Sequence, residues 1–438
     1  MKSSKKWLIS VIVHYIIIIA SIYLLNCTII NNLVAGLICI GTTILLVLFA
    51  LKNNKLFTPI TASLIFDISF FLYLMKLVNT YQDMPFEAML IINTCMFVWK
   101  IITITSKGFN FRRKDEQVKL KGNFSEYSFR IWINFSFIVA TSAMLFEWVM
   151  AGGVPILRSD QETFRFLVSY SPLTHILAIM NKIIVALIGI YFIYKGKIEI
   201  KHDFILLLEM GISELLLIGT AMRGEMIFAP CIIFIFYGIK HKLPIRFYII
   251  GASVAFIIIG LMPYYRMVTS YGNLYISDLA SISTYPTFYM FTPLYQSFSN
   301  NFEILTLDFS IFPQIKEFGY GAYSILPSIP FVTLGNSLMQ VQNEVLNNGF
   351  YAGLTATYMA TWYADWGYYG CFLITIAGGI FVNFIYSQFE KKRTLFLSIL
   401  YSYVFYGTLW MFYNSIFDIV FLCYSLMIWF ILKLNIKN

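Results

Sequence analysis

The chain has 438 residues, of which 59% are hydrophobic and only 12% charged, with a mean hydropathy of +0.74; apolar runs at this density exclude a water-soluble fold and point to a membrane. The formal charge of +9 is not a nucleic-acid signature, because the basic residues are spread over short loops in the way the positive-inside bias predicts. Cys27, Cys39, Cys95, Cys231, Cys371 and Cys423 lie in or beside apolar runs without CxxC spacing, which argues against a disulfide framework or a zinc site.

Lys2, Lys5 and Lys6 precede an apolar run from Trp7 to Leu25. The run is long and has no small-residue cleavage site, so it reads as a retained first span rather than a signal peptide. Hydropathy then places spans at approximately 7–25, 33–51, 57–77, 86–106, 130–150, 173–194, 204–221, 226–239, 247–263, 367–389, 395–413 and 416–434. The expected fold class is therefore an all-α polytopic membrane protein, with about twelve transmembrane helices in a single domain over 1–438. Five loops are basic: Lys52 and Lys55; Lys107 to Lys121 with Arg112, Arg113 and Lys114; Lys195, Lys197 and Lys201; Lys240, Lys242 and Arg246; Lys391, Lys392 and Arg393. Their agreement puts both termini on the cytoplasmic side of the membrane.

Two outer segments remain, a short one over 151–172 and a large extracytoplasmic loop over 262–363. Four arginines fall on this outer side, each just beyond a span: Arg158, Arg165, Arg223 and Arg266. Cations are normally retained inside, and an outer group made of arginine suits phosphate oxygens, because the guanidinium is a fixed charge with a planar donor fork. In GGVPILRSDQETFRFLVSY, Ser159-Asp160-Gln161-Glu162 forms a capping box, so a short helix is expected there with Arg158 at its mouth and Arg165 on its flank. The alternative is that Arg158 and Arg165 pair with Asp160 and Glu162 or touch lipid headgroups. Arg223 lies in the tight turn GTAMRGEMIFAP, where Glu225 is a candidate neutralising partner, and Arg266 follows Pro263 in MPYYRMVTSYG.

The large loop opens on an aromatic run that includes Tyr264, Tyr265, Tyr271, Tyr285, Tyr295 and Phe302. Such rings stack on sugars, and they equally pack loops onto a bilayer interface. Downstream, TATYMATWYADWGYYG sets Asp365 between Trp362 and Trp366, with Gly367 and Gly370 permitting a break or a close helix approach. Asp365 is a candidate acid or base, or a structural partner for an outer arginine. Glu344 and His175 are the next candidates, and Lys316 is the clear external lysine. Asp67, Glu147, Lys182, Glu209, Glu214 and Asp418 lie within spans, and Lys182 and Glu214 fall at a similar depth, as a pair would. DxD, Walker, GxSxG and HExxH motifs are absent, so metal, nucleotide and serine-hydrolase chemistries find no support and no cofactor is expected.

Together these features resemble the bacterial oligosaccharide repeat-unit polymerases, the O-antigen and capsule polymerases of the Wzy family. The likeness rests on many spans with one dominant late outer loop, and locally on GGVPIL before Arg158, the MRGE turn at Arg223 and YADWGYYG around Asp365. The resemblance implies metal-independent glycosyl transfer on the outer face, with polyprenyl-diphosphate-linked oligosaccharides as donor and acceptor and the lipid diphosphate as leaving group. It further implies membrane lipid, a flippase and a chain-length regulator as partners. On this reading Arg158, Arg165, Arg223 and Arg266 hold diphosphate, Tyr264, Tyr265, Trp362 and Trp366 stack on sugars, and Asp365, Glu344 and His175 are catalytic candidates. The competing expectation is a lipid-linked oligosaccharide flippase or transporter.

Overall fold

The computed structural model describes residues 2–53, 55–106, 108–110, 120–161, 164, 168, 171–241, 243–325, 338–345, 357–413 and 419–437. Its helices, in chain order, are α1 (Lys2–Asn26), α2 (Asn32–Lys52), α3 (Pro59–Leu74), α4 (Phe86–Thr105), α5 (Glu126–Ala151), α6 (Pro172–Ile179), α7 (Asn181–Lys195), α8 (Ile200–Gly219), α9 (Arg223–Lys240), α10 (Ile245–Tyr271), α11 (Asn273–Ile282), α12 (Thr292–Ile311), α13 (Leu338–Val345), α14 (Ala360–Lys392), α15 (Leu395–Leu409) and α16 (Ile419–Asn435). A two-residue antiparallel ladder joins β1 (Asn123–Phe124) to β2 (Ile436–Lys437). Among the described residues, seven helices are long and apolar enough to cross a membrane, and three shorter helices are comparably apolar. Their outward faces carry large apolar side chains such as Ile16, Leu45, Ile138 and Leu373. Water would reject such faces, whereas hydrocarbon accepts them.

Local chemistry sets the helix ends. Asn31 caps α2 by accepting the Val34 N–H. Thr58 and Ser171 open α3 and α6 with capping boxes followed by proline at the first helical position. Inside α14, Gly367 takes φ +61° and breaks the helix, as the glycine pair in YADWGYYG led one to expect. Gly370 then lies against the Trp362 backbone so tightly that a Cβ there would fall 2.0 Å from the Trp362 carbonyl oxygen.

The chain divides into two compact units. Unit 1 comprises 1–114, 280–391 and 407–422. In it, α12 lies on α3 through aromatic packing: Phe302 meets Phe66 and Phe70 at ring distances of 5.0 and 5.2 Å. The Tyr295 hydroxyl donates to the Leu72 carbonyl, and Tyr73 bonds Thr306. Part of the aromatic run expected to contact sugar is thus core, whereas Tyr265, Tyr271, Tyr285 and Phe291 are exposed. Asp67, Lys100 and Tyr15 form a buried cluster, with Lys100 Nζ at 2.7 Å from both the carboxylate and the phenol. Lys100 went unremarked in the sequence, yet it is what makes a buried Asp67 affordable.

Unit 2 comprises 115–279, 392–406 and 423–438. At one end of its helices stand Arg130, Lys195, Lys240, Lys392 and Lys433, together with the β1–β2 ladder. At the opposite end are the α5–α6 connection, the α8–α9 turn and the second half of α10. Which residues share an end follows from the helix directions alone: Arg223 and Arg266 fall at one end, and Arg130, Lys195, Lys240 and Lys433 at the other.

Candidate functional site

Arg223 begins α9, and Arg266 lies in the second half of α10, close to its end at Tyr271. Arg266 Nη1 donates to the Ala221 carbonyl at 3.0 Å, and Arg223 Nη1 donates to the Ile259 carbonyl at 3.2 Å. The two arginines therefore brace the same junction reciprocally. Ala221 adopts positive φ to make the turn, and Arg266 is only 6% exposed.

Glu225, the carboxylate expected beside Arg223, turns instead to Lys182 at 2.9 Å. The same Lys182 sits over the rings of Phe228 and Tyr424 at 5.0 and 4.6 Å. The Lys182 partner is therefore Glu225 and not the Glu214 suggested by depth. Equal depth does not set which side of a helix a side chain occupies, and Glu225 shares the face of α9 that carries Phe228.

Arg158 lies at the same end of unit 2. Its Nε and Nη2 donate to the Asp160 carboxylate at 2.8 and 3.1 Å, and its guanidinium covers Phe164 at 4.3 Å. The guanidinium beside it holds the Asp160 carboxyl below the usual range. This is the pairing that the sequence offered as the alternative to phosphate binding. Of the expected helix here, Gln161 and Phe164 are helical; Glu162 and Arg165 lie outside the described residues, as does Asp418. An apolar groove of about 260 Å³ runs beside Arg158, lined by Trp148, Val154, Leu157, Leu215 and Gly219 among others.

His175, a candidate base in the sequence, has a carboxylate behind it. Its Nδ1 is 3.3 Å from Glu147 Oε2, and the Thr174 hydroxyl donates to Glu147 Oε1 at 3.0 Å. Glu147 is buried, and the imidazole is about one-third exposed. With Nδ1–H donating to the acid, Nε2 is left as the basic nitrogen. Two signals in the sequence could have found this pair: Glu147 falls in the last turn of a span, and His175 in the first turn of the next.

Asp365 belongs to unit 1 and is fully buried. Its Oδ1 accepts the Tyr323 N–H at 3.1 Å, and its Oδ2 accepts the Ser324 N–H at 2.7 Å together with the Ser324 hydroxyl. The carboxylate thus organises the 319–325 turn. Gly319 is required there, since a Cβ would lie 2.5 Å from Oδ1. Trp362 and Trp366 pack on each other at 6.3 Å. Glu344 is exposed and pairs with Lys316 at 3.6 Å. Tyr264 packs near Tyr275 at 6.4 Å, and Tyr265 is exposed. The structure therefore gathers Arg158, Arg223, Arg266, His175, Tyr264 and Tyr265 in unit 2, and Asp365, Glu344, Trp362 and Trp366 in unit 1.

Among the described residues, Glu126, His202 and Asp203 bring potential metal ligands within 4.8 Å of one another. Arg130 and Lys195 already occupy those carboxylates, at 2.6 and 3.0 Å from Asp203, so the cluster is an ion-pair network. No family model, curated protein or solved structure matches the chain.

Proposed function

We propose that this chain polymerises polyprenyl-diphosphate-linked oligosaccharide repeat units on the outer face of the bacterial cytoplasmic membrane. The observation that carries the reading is the reciprocal bracing of Arg223 and Arg266 at the end of unit 2 opposite Lys195, Lys240 and Lys433. Two guanidinium groups pre-oriented by carbonyls match a leaving diphosphate, which gains negative charge as its bond to the sugar breaks. The apolar groove beside Arg158 suits the first isoprene units of the carrier.

In this scheme the terminal hydroxyl of the acceptor repeat attacks the anomeric carbon of the donor. A C–O bond forms, the C–O bond to diphosphate breaks, and the electron pair leaves on the diphosphate. The hydroxyl proton passes to His175 Nε2, with Glu147 holding the ring and stabilising the imidazolium. His175 takes precedence over Asp365 as base, because the Asp365 lone pairs are engaged by the 319–325 turn. Glu344, paired with Lys316, is the weaker candidate. Arg165 remains assigned to diphosphate by resemblance alone.

A flippase is the second reading, favoured by the buried Asp67–Lys100 and Lys182–Glu225 pairs, since ionisable groups within spans often line a substrate path. Cells lacking the protein distinguish the two. Loss of a polymerase leaves single lipid-linked repeats accessible on the outer face, where they are still attached to acceptors. Repeats confined to the inner face would instead identify the flippase.

A further inference from the structure

At the lysine-rich end of unit 2, three segments distant in sequence are tied together by backbone hydrogen bonds. The Lys121 N–H donates to the Arg393 carbonyl at 2.9 Å, and the Lys121 carbonyl accepts the Leu395 N–H at 2.8 Å. Asn123 pairs with Lys437, and Phe124 with Ile436. The Ser125 N–H donates to the Asn435 carbonyl at 2.7 Å. These bonds build a half-open cleft of about 430 Å³. Lys121, Lys392 and Lys433 stand around it, and its apolar wall includes Phe396, Trp429 and Leu432.

The three lysines are exposed, and no carboxylate is among the described residues lining the cleft. Three lysines around one cleft make it locally positive, and such a field draws an anion. The nearby acids do not serve this role: Glu126 and Asp203 are taken by Arg130, Lys195 and Tyr191. The wall, meanwhile, is apolar and carries a tryptophan, the residue that marks the boundary between hydrocarbon and headgroup. One anion satisfies both halves of the cleft: a phosphodiester whose acyl chains lie along Phe396, Trp429 and Leu432.

We infer that this cleft is a binding site for an acidic glycerophospholipid, with Lys121, Lys392 and Lys433 holding the headgroup phosphate. The site is remote in chemistry from the arginine end of the unit and does not depend on the reaction proposed there.

The full-length protein, purified in mild detergent, is titrated with dioleoylphosphatidylglycerol or dioleoylphosphatidylcholine and read by native mass spectrometry. The wild-type protein retains phosphatidylglycerol in preference, and the preference weakens as salt is raised. Changing Lys121, Lys392 and Lys433 to Gln reduces the preference by roughly fivefold per lysine removed. The corresponding Lys→Arg triple variant keeps it, and so does Lys197→Gln, a change at a lysine paired with Glu199 on the same end. Equal retention of the two lipids by the wild-type protein overturns the inference, and so does an undiminished preference in the triple Gln variant. Displacement of the phosphatidylglycerol by an equal amount of polyprenyl monophosphate overturns the choice of occupant.

Discussion

Asp308 shows what burial does to a single residue. It sits on α12 with no exposed surface. Gln342 Nε2 donates to its Oδ1 at 2.7 Å, while Oδ2 has no hydrogen-bond partner among the described residues. Burial pushes its carboxyl up to about 8, against a partial lowering by the Gln342 bond. A carboxyl raised on folding binds its proton more tightly in the folded state, so its contribution is complete below the unfolded value near 4 and is lost as pH rises towards about 8. Thermal unfolding followed across that window should show declining stability in the wild-type protein. Asp308→Asn, which keeps an acceptor for Gln342, should flatten the decline; an unchanged slope would assign it to other groups.

At the level of elements, which residues share an end of unit 2 was readable because it depends only on helix direction: Arg223 and Arg266 fall at one end, and Lys195, Lys240 and Lys433 at the other. Pairings between helices were not readable, because they depend on helix rotation. Hence Lys182 meets Glu225 instead of Glu214, and Glu147 reaches His175 across 28 residues. Asp365 was legible as special from its aromatic and glycine neighbours, but its partners, the 323 and 324 backbone N–H groups and the Ser324 hydroxyl, belong to a turn distant in sequence, and no local pattern announces them. The aromatic run was ambiguous for a related reason, as stacking on sugar and packing on α3 use the same rings. The break in α14 carries its own test. A Cβ at Gly370 meets backbone atoms that cannot rotate away, so Gly370→Ala should cost about 3 kcal/mol or more. Gly41 in α2 has nothing within 4 Å of its Cβ position, so Gly41→Ala should be neutral or stabilising by up to about 1 kcal/mol. Equal effects at the two positions in a thermal or denaturant melt would contradict the close packing described at Gly370.

For the molecule as a whole, composition alone announces a helical membrane protein, and the long apolar helices agree. The division into two units left no trace in the sequence, since no linker separates them and the large outer segment contributes to both. The proposed chemistry rests on the arginine end of unit 2, where Arg223 tests it most directly. Lysine at this position keeps the positive charge and loses the planar fork. With purified protein and polyprenyl-diphosphate-linked repeat units, Arg223→Lys should slow chain extension by about a hundredfold or more, with unchanged protein yield and the single repeats left unconsumed. Polymer formed by Arg223→Lys at the wild-type rate and length would contradict the assignment of this arginine to the diphosphate, and with it the proposed reaction site.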